Sequence, residues 1–214
     1  MDKIAIVGAG GFGREVKFLI DQINIEKNKY EFVGFFDDGL VKGDIVNGFP
    51  VLGKVSDINN LNESTAIVIA VAIPQIRKDI YNKISNSFAY FPTLIHPNVI
   101  IGTDFVTVGK GSIICASTII TVNINIGEFV ILNLQCTVGH DTIIKDFCSF
   151  MPSVNVSGEV IIEECVYVGT GAKIINLLNI GKNTIVGSGA VVAKSLPGNC
   201  TAVGIPAKPI KFHE

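Results

Sequence analysis

Residues 126–144 read IGEFVILNLQCTVGHDTII, and their spacing decides the architecture. Ile126, Leu132, Val138 and Ile144 recur every six residues. Carried outward in both directions, the step runs from Val108, Ile114 and Ile120 to Phe150, Val156, Ile162, Val168, Ile174, Ile180, Val186 and Val192. All fifteen positions are apolar. In a chain that is 48% hydrophobic, one frame would do this by chance on the order of once in 10⁵. A period of six is neither the 3.6 of a helix nor the two of an ordinary strand. It fits a triangular solenoid in which each hexad gives one short strand and one corner. Three hexads close a coil, so fifteen give 15/3 = 5 coils. Positions four further on, such as Val130, Cys136, Thr142, Cys148 and Val154, are apolar or small. Glycine follows the apolar residue at Gly109, Gly127, Gly139, Gly169, Gly181 and Gly187, where it suits a tight corner. Ile101-Gly102 lies seven residues before Val108, so the repeat starts there with one insertion. Leu196-Pro197-Gly198 reads as the close of the coils and residues 203–209 as a tail.

Residues 1–91 follow another grammar. Lys3–Val7 reads as a buried strand running into Gly8-Ala9-Gly10-Gly11-Phe12-Gly13 and an amphipathic helix over Arg14–Gln22. Tyr30–Phe36 is a second strand, ending at Asp37-Asp38-Gly39, and Ala66–Ala72 a third, followed by Pro74 and a helix through Ser85. Phe88–Phe91 is a candidate fourth strand. Alternating strands and helices imply a parallel sheet. The expected organisation is therefore an α/β, Rossmann-like half-domain over 1–91 and a parallel β-helix over 92–214, with the boundary in the proline-flanked segment 92–97.

The chain has 214 residues, a net charge of −2 and only 17% charged residues, which gives no basic surface for nucleic acid. No apolar run is long enough for a membrane span, and Met1–Ile6 starts a strand without the layout of a signal peptide, so a cytoplasmic location is expected. The five cysteines form no C-x-x-C pair and read as small buried hydrophobes; no metal site is expected.

Three features could carry chemistry. Gly8-x-Gly10-x-x-Gly13, between strand and helix, lets backbone approach a phosphate at a helix N-terminus; it also serves as a tight strand-to-helix turn. One nucleotide fits a half-domain this short better than a dinucleotide. Asp37 and Asp38 end the next strand, where an acid can hold a ribose or a base, or can simply be a solvated turn. His140 falls at a corner of the solenoid, outside the prism, with Asp141 beside it to fix one imidazole tautomer and strengthen it as a base. The alternative is an exposed corner histidine without function. Residues eighteen apart stack in such a solenoid, so Val122 lies below His140 and Gly158 above, leaving room over the imidazole for an acyl thioester. His96 reads as structural and His213 as a solvated tail residue.

The whole chain resembles the bacterial hexapeptide-repeat sugar acetyltransferases grouped with UDP-4-amino-sugar N-acetyltransferases and sialic acid O-acetyltransferases. The resembling stretches are IVGAGGFGREV at 6–16, FFDD at 35–38, the hexads with CTVGHD at 136–141, and VGIPAKP at 203–209. The resemblance implies a left-handed β-helix, a homotrimer, and acetyl-CoA lying between subunits. It implies His140 as general base, Asp141 strengthening it, and Asn133 near the site. A nucleotide-sugar pocket would use Gly10, Gly11, Phe12, Asp37, Asp38 and Ala72, and the acetyl-CoA groove Ser149, Gly158, Thr170 and Ser188. The implied reaction is direct N-acetylation of a nucleotide-linked 4-amino-4,6-dideoxy sugar in bacterial glycan biosynthesis, the alternative being O-acetylation of a sialic-acid-like sugar. Phe12, Ser149 and Asn155 stand where many relatives carry histidine. A β-helix carbonic anhydrase needs three histidines on a shared metal, and only His140 lies in the coils; a non-catalytic nucleotide-sugar sensor would have no use for the His140-Asp141 pair.

Overall fold

The computed structural model of the chain describes residues 1–213 and divides into two compact units, Met1–Pro97 and Asn98 onward. In the first, β1 (Asp2–Val7) forms parallel pairs with β2 (Tyr30–Phe36) on one side and β5 (Thr65–Ile69) on the other. The strands β4 (Phe49–Gly53) and β6 (Ala89–Tyr90) extend the sheet in parallel, and β3 (Ile45–Val46) adds one antiparallel edge. Ile4, Ile6, Ile67 and Val68 are buried, as near-continuous apolar runs in a parallel sheet should be. Helix α1 (Gly11–Lys27) is longer at both ends than the expected Arg14–Gln22: it begins at Gly11, and buried Ile23 carries the apolar face one turn further toward a left-handed cap at Asn28. It buries Val16, Leu19, Ile20 and Ile23. Helix α2 (Pro74–Lys83) starts with proline in its first turn, where the missing N–H costs nothing.

In the second unit every hexad gives a two-residue strand. Of the fifteen hexad positions all but Val108, which is half-buried, are buried in the prism. Register confirms the coil length: Thr137 pairs with Ile119 below and Asn155 above, eighteen residues either way. Ile100–Ile101 pairs with Ile119–Ile120, nineteen residues on, so the first coil absorbs the expected insertion. The three faces of the prism are parallel ladders.

The coils do not end at Leu196-Pro197-Gly198. Leu196 bridges Ile180, and the strand Cys200–Gly204 continues one ladder against Ile185–Val186. That strand then pairs antiparallel with Ala207–Phe212, so the expected tail is a hairpin. His213 is tied into it: its Nε2 lies 2.9 Å from Thr201 Oγ1, and it is half-buried rather than solvated. All five cysteines are buried thiols.

Each corner from Val108 to Val186 places the third residue after the apolar one in the left-handed region. On one edge of the prism these are Asn123, Asp141, Glu159 and Leu177, with φ of 54°, 55°, 57° and 61°. Asn and Asp tolerate that conformation best among residues with a side chain. The sequence thus fixes where each corner turns and, with it, where the preceding side chain is held.

Candidate active site

His140 occupies the corner after the strand Thr137–Val138. Its backbone is pinned by the coil above, since Glu159 N donates to His140 O at 2.8 Å. The next residue is held from below, with Asp141 N donating to Val122 O at 3.2 Å. With the backbone fixed, the imidazole is oriented by its neighbour: His140 Nδ1 lies 2.8 Å from Asp141 Oδ2, and the two side chains are 56% and 50% exposed. The other carboxylate oxygen, Oδ1, accepts from Asn123 Nδ2 at 3.0 Å. The hydrogen bond with His140 first, and that from Asn123 second, hold the Asp141 carboxyl below its ordinary range. An ionised carboxylate only accepts, so Nδ1 carries the hydrogen and the lone pair of a neutral imidazole sits on Nε2.

The space at Gly158 is not open, because the ring itself fills it. A Cβ on Gly158 would lie 2.5 Å from His140 Cε1 and 2.8 Å from Cδ2, and would also collide with Nε2. The gap is therefore not room for a thioester: Gly158, one coil above, is the surface against which the imidazole packs.

The remaining expected residues fall in three places. Asn133 stands at the corner before the strand Thr137–Val138, whereas His140 stands at the corner after it, so one chain does not bring them together. Asn133 is 5% exposed, with Oδ1 accepting from Leu134 N at 2.7 Å. Thr170 and Ser188 are exposed at later turns of the same edge as Asn133, after the strands Tyr167–Val168 and Ile185–Val186. Ser149 is fully buried, so its side chain is out of reach of a ligand on this surface.

In the first unit, Gly10, Gly11, Phe12, Asp37, Asp38 and Ala72 all lie at the C-terminal edge of the parallel strands, where ligands of open α/β sheets sit. Gly10 precedes α1 and Gly11 begins it, and a Cβ on either would meet nothing within 4 Å. Gly13 differs: a Cβ there would strike the Gly8 carbonyl, so its role is to let helix and strand meet. Asp37 ties the loop to the sheet, with Oδ2 accepting from Ala9 N at 2.8 Å and Oδ1 from Gly39 N at 2.9 Å. Asp38 Oδ1 accepts from Val55 N at 2.9 Å. The Ala72 carbonyl accepts from Nη1 of the buried Arg77 at 3.3 Å.

A cleft of ≈290 Å³ opens at this edge, lined among others by Gly8, Asp37, Asp38, Val71 and, from α2, Ile76 and Lys83. Sequence reasoning missed the α2 contribution, although Ile76, Asp79, Ile80 and Lys83 follow the spacing of one helix face. It also missed Asn123, which the eighteen-residue period places directly below Asp141. Among the described residues no group of three or more His, Cys, Asp or Glu is arranged to hold a metal ion. Among the same residues no helix is long and apolar enough to cross a membrane.

Comparison with known proteins places this geometry in a setting. Residues 3–84 match the PglD N-terminal domain family. The GDP-perosamine N-acetyltransferase of Escherichia coli O157:H7 is 33% identical, over 99% of this chain and 97% of that protein. The acetyltransferase domain of PglB from Neisseria gonorrhoeae FA1090, solved in complex with acetyl coenzyme A, superposes with a TM-score of 0.87 at 32% identity. It covers 97% of this chain and 98% of its own. PerB from Caulobacter crescentus, solved with CoA and GDP-perosamine, gives a TM-score of 0.87 at 27% identity, over 99% and 98% of the two chains.

Proposed function

The chain belongs to the hexapeptide-repeat sugar acetyltransferases that carry a PglD N-terminal domain, left-handed β-helix acyltransferases, and from that membership we propose that it moves the acetyl group of acetyl-CoA onto the amine of a nucleotide-linked 4-amino-4,6-dideoxy sugar. The observation that carries the proposal is the 2.8 Å bond from His140 Nδ1 to Asp141, which leaves Nε2 as a base on a rigid corner. In the reaction so read, the amine nitrogen attacks the thioester carbonyl, the C–N bond forms and the C–S bond breaks. Nε2 takes the proton that the nitrogen must lose, and the imidazolium is held by the Asp141 carboxylate until the proton passes to the departing thiolate or to water. No acetylated side chain is needed.

The N-terminal unit is read as the holder of the nucleotide. The backbone at Gly10, Gly11 and Phe12, at the positive end of α1, suits a phosphate, and the cleft beside Asp37, Asp38 and Ala72 suits the rest. The E. coli relative is named for GDP-perosamine and the Caulobacter relative was solved with it, so guanosine joins uridine and thymidine among the nucleosides to test.

A homotrimer is part of this reading. His140 and Asp141 sit on one edge of the prism, and Asn133, Thr170 and Ser188 on the preceding edge. Cyclic assembly would set one copy's edge against the other's, forming an acetyl-CoA groove that a single chain lacks. The enzyme so described would work in the cytoplasm, where acetyl-CoA is available.

The test is CoA release from acetyl-CoA by the purified protein, offered UDP-, dTDP- and GDP-linked amino-sugars and their hydroxyl counterparts. Rapid release with one amino-sugar nucleotide is expected. Release only with hydroxyl acceptors such as sialic acids would replace N- with O-acetylation, and release with none would remove the assignment.

A further inference from the structure

Asn123 is one coil below Asp141 and repeats its conformation, with φ of 54° against 55°. Its backbone is anchored independently, Asn123 N donating to Asp104 O at 2.9 Å. Its side chain therefore stands on a fixed corner, directed along the edge of the prism, and its Nδ2 reaches Asp141 Oδ1 at 3.0 Å. The opposite carboxylate oxygen is the one that meets His140 Nδ1 at 2.8 Å. The three groups form a line, amide to carboxylate to imidazole.

We propose that Asn123 is a positioning residue for the His140 base, acting only through Asp141. The proposal rests on the reading of His140 as the base. Asp141 is half-exposed, and among the described residues its carboxylate makes two side-chain hydrogen bonds, one at each oxygen. A carboxylate bonded at one oxygen alone turns about its own axis and takes the imidazole with it. The amide of Asn123 stops that turn, because its Nδ2–H donates to Oδ1 from a corner anchored by its own backbone bond to Asp104. A residue with an acceptor in its place would repel Asp141, and a residue with no polar group would release it. The neighbouring ionisable groups agree with this arrangement, since His140 and Asp141 are bonded to each other and Asn123 brings no charge to either.

The test uses the full chain, two substitutions at Asn123, Asp141→Ala as their background, and His140→Ala for spectral assignment. Asn123→Gly removes the amide and keeps the left-handed corner unstrained. Asn123→Asp keeps the shape and turns the donor into an acceptor. Each is made alone and together with Asp141→Ala, and kcat and KM are read from CoA release. Asn123→Gly should lower kcat about 5- to 10-fold with KM for acetyl-CoA unchanged, the loss expected for one charge-assisted hydrogen bond at an exposed site. Asn123→Asp should lose at least as much. In the Asp141→Ala background neither should lower kcat further, because the route through Asp141 is already cut. In ¹⁵N spectra of the imidazole, with His140 identified by its absence in His140→Ala, the share of neutral rings protonated at Nδ1 should fall in both Asn123 variants. A loss that multiplies with that of Asp141→Ala would make Asn123 a general structural residue and overturn the proposal, as would wild-type kcat in Asn123→Asp. The parent reading fails separately: if His140→Ala keeps its turnover, His140 is not the base at all.

Discussion

The sharpest consequence of the site concerns a residue with no side chain. Replacing Gly158 by alanine puts a methyl group 2.5 Å from His140 Cε1 and 2.8 Å from Cδ2. Carbon atoms in contact settle about 3.5 Å apart, so something must withdraw by about 1 Å. The backbone resists, because Gly139 N donates to Val156 O at 2.9 Å and Glu159 N to His140 O at 2.8 Å, locking the two coils together. The ring gives way instead, and its 2.8 Å bond to Asp141 stretches or breaks. A reacting group misplaced by 1 Å costs on the order of 10²-fold in rate, or about 2.7 kcal/mol of barrier. Stability should change by no more than about 1 kcal/mol, since the imidazole is half-exposed and swings into water. The assay pairs kcat from CoA release with the urea midpoint. A variant with native kcat would show that the ring does not work from its place against Gly158. A loss of stability above about 3 kcal/mol would show that the coils moved and not the ring.

Other outcomes can be stated more briefly. His140→Ala should lower kcat at least ~100-fold while acetyl-CoA affinity measured by titration calorimetry stays the same, and Asp141→Asn should cost less, since it tunes the base without being it. Asp141 is held ionised below the ordinary carboxylate range by its bonds to His140 and Asn123, so the acceptor facing His140 Nδ1 keeps its charge into mildly acidic solution. Any step in kcat/KM that Asp141 causes should lie below the ordinary carboxylate range and vanish in Asp141→Asn; a step that survives that substitution would belong to another group. What Asp141 contributes to stability is present above its unfolded pKa and is lost only as pH falls through the lowered folded one, so acid unfolding of Asp141→Asn should set in no later than that of the native chain. Gly13→Ala should destabilise the first unit by about 3 kcal/mol or more in urea titration, because the new Cβ strikes the backbone of Gly8 and not a movable side chain. Cys136, whose thiol burial pushes up to about 12, should resist alkylation at neutral pH until the chain unfolds.

The parts of the fold that a sequence can announce are those with a strict period. The hexads did so because every sixth side chain must enter a narrow prism, and Leu132, Val138 and Ile144 meet that demand without exception. The insertion before Val108 was equally plain, since a seventh residue breaks the count. The β3–β4 hairpin escaped notice, although Asn47-Gly48 between Val46 and Phe49 carries the signal of a two-residue turn; both central residues have positive φ, 48° and 84°. The last coil was misjudged because Leu196-Pro197-Gly198 shortens it without ending it, and a proline there reads as a stop. At the site, His140 and Asp141 could be found as neighbours in sequence, but the ring's resting place on Gly158 depends on a side-chain rotamer that no spacing encodes. The burial of Ser149 shows the same limit. Its position in the ladder was legible, but what lies over that face was not.

The eighteen-residue register has a bearing on how such a protein can change. The bonds that hold His140 and Asp141 to the neighbouring coils come from the two adjoining storeys, Val122 and Asn123 beneath and Glu159 above, with Gly158 above against the ring. The storeys higher up share the ladder but not the corner. Excision of one whole period, residues 161–178, would bring Asn179–Ile180 down onto Ile143–Ile144 in the same register that Ile161–Ile162 now occupies. Removal of six or twelve residues would keep the apolar residues inward but move every later strand to another face of the prism, and removal of a number that is not a multiple of six would turn the later apolar residues out unless a corner absorbed the difference. The length of the column is therefore free to drift in steps of one storey, by loss or duplication, while the corner that holds the histidine stays as it is.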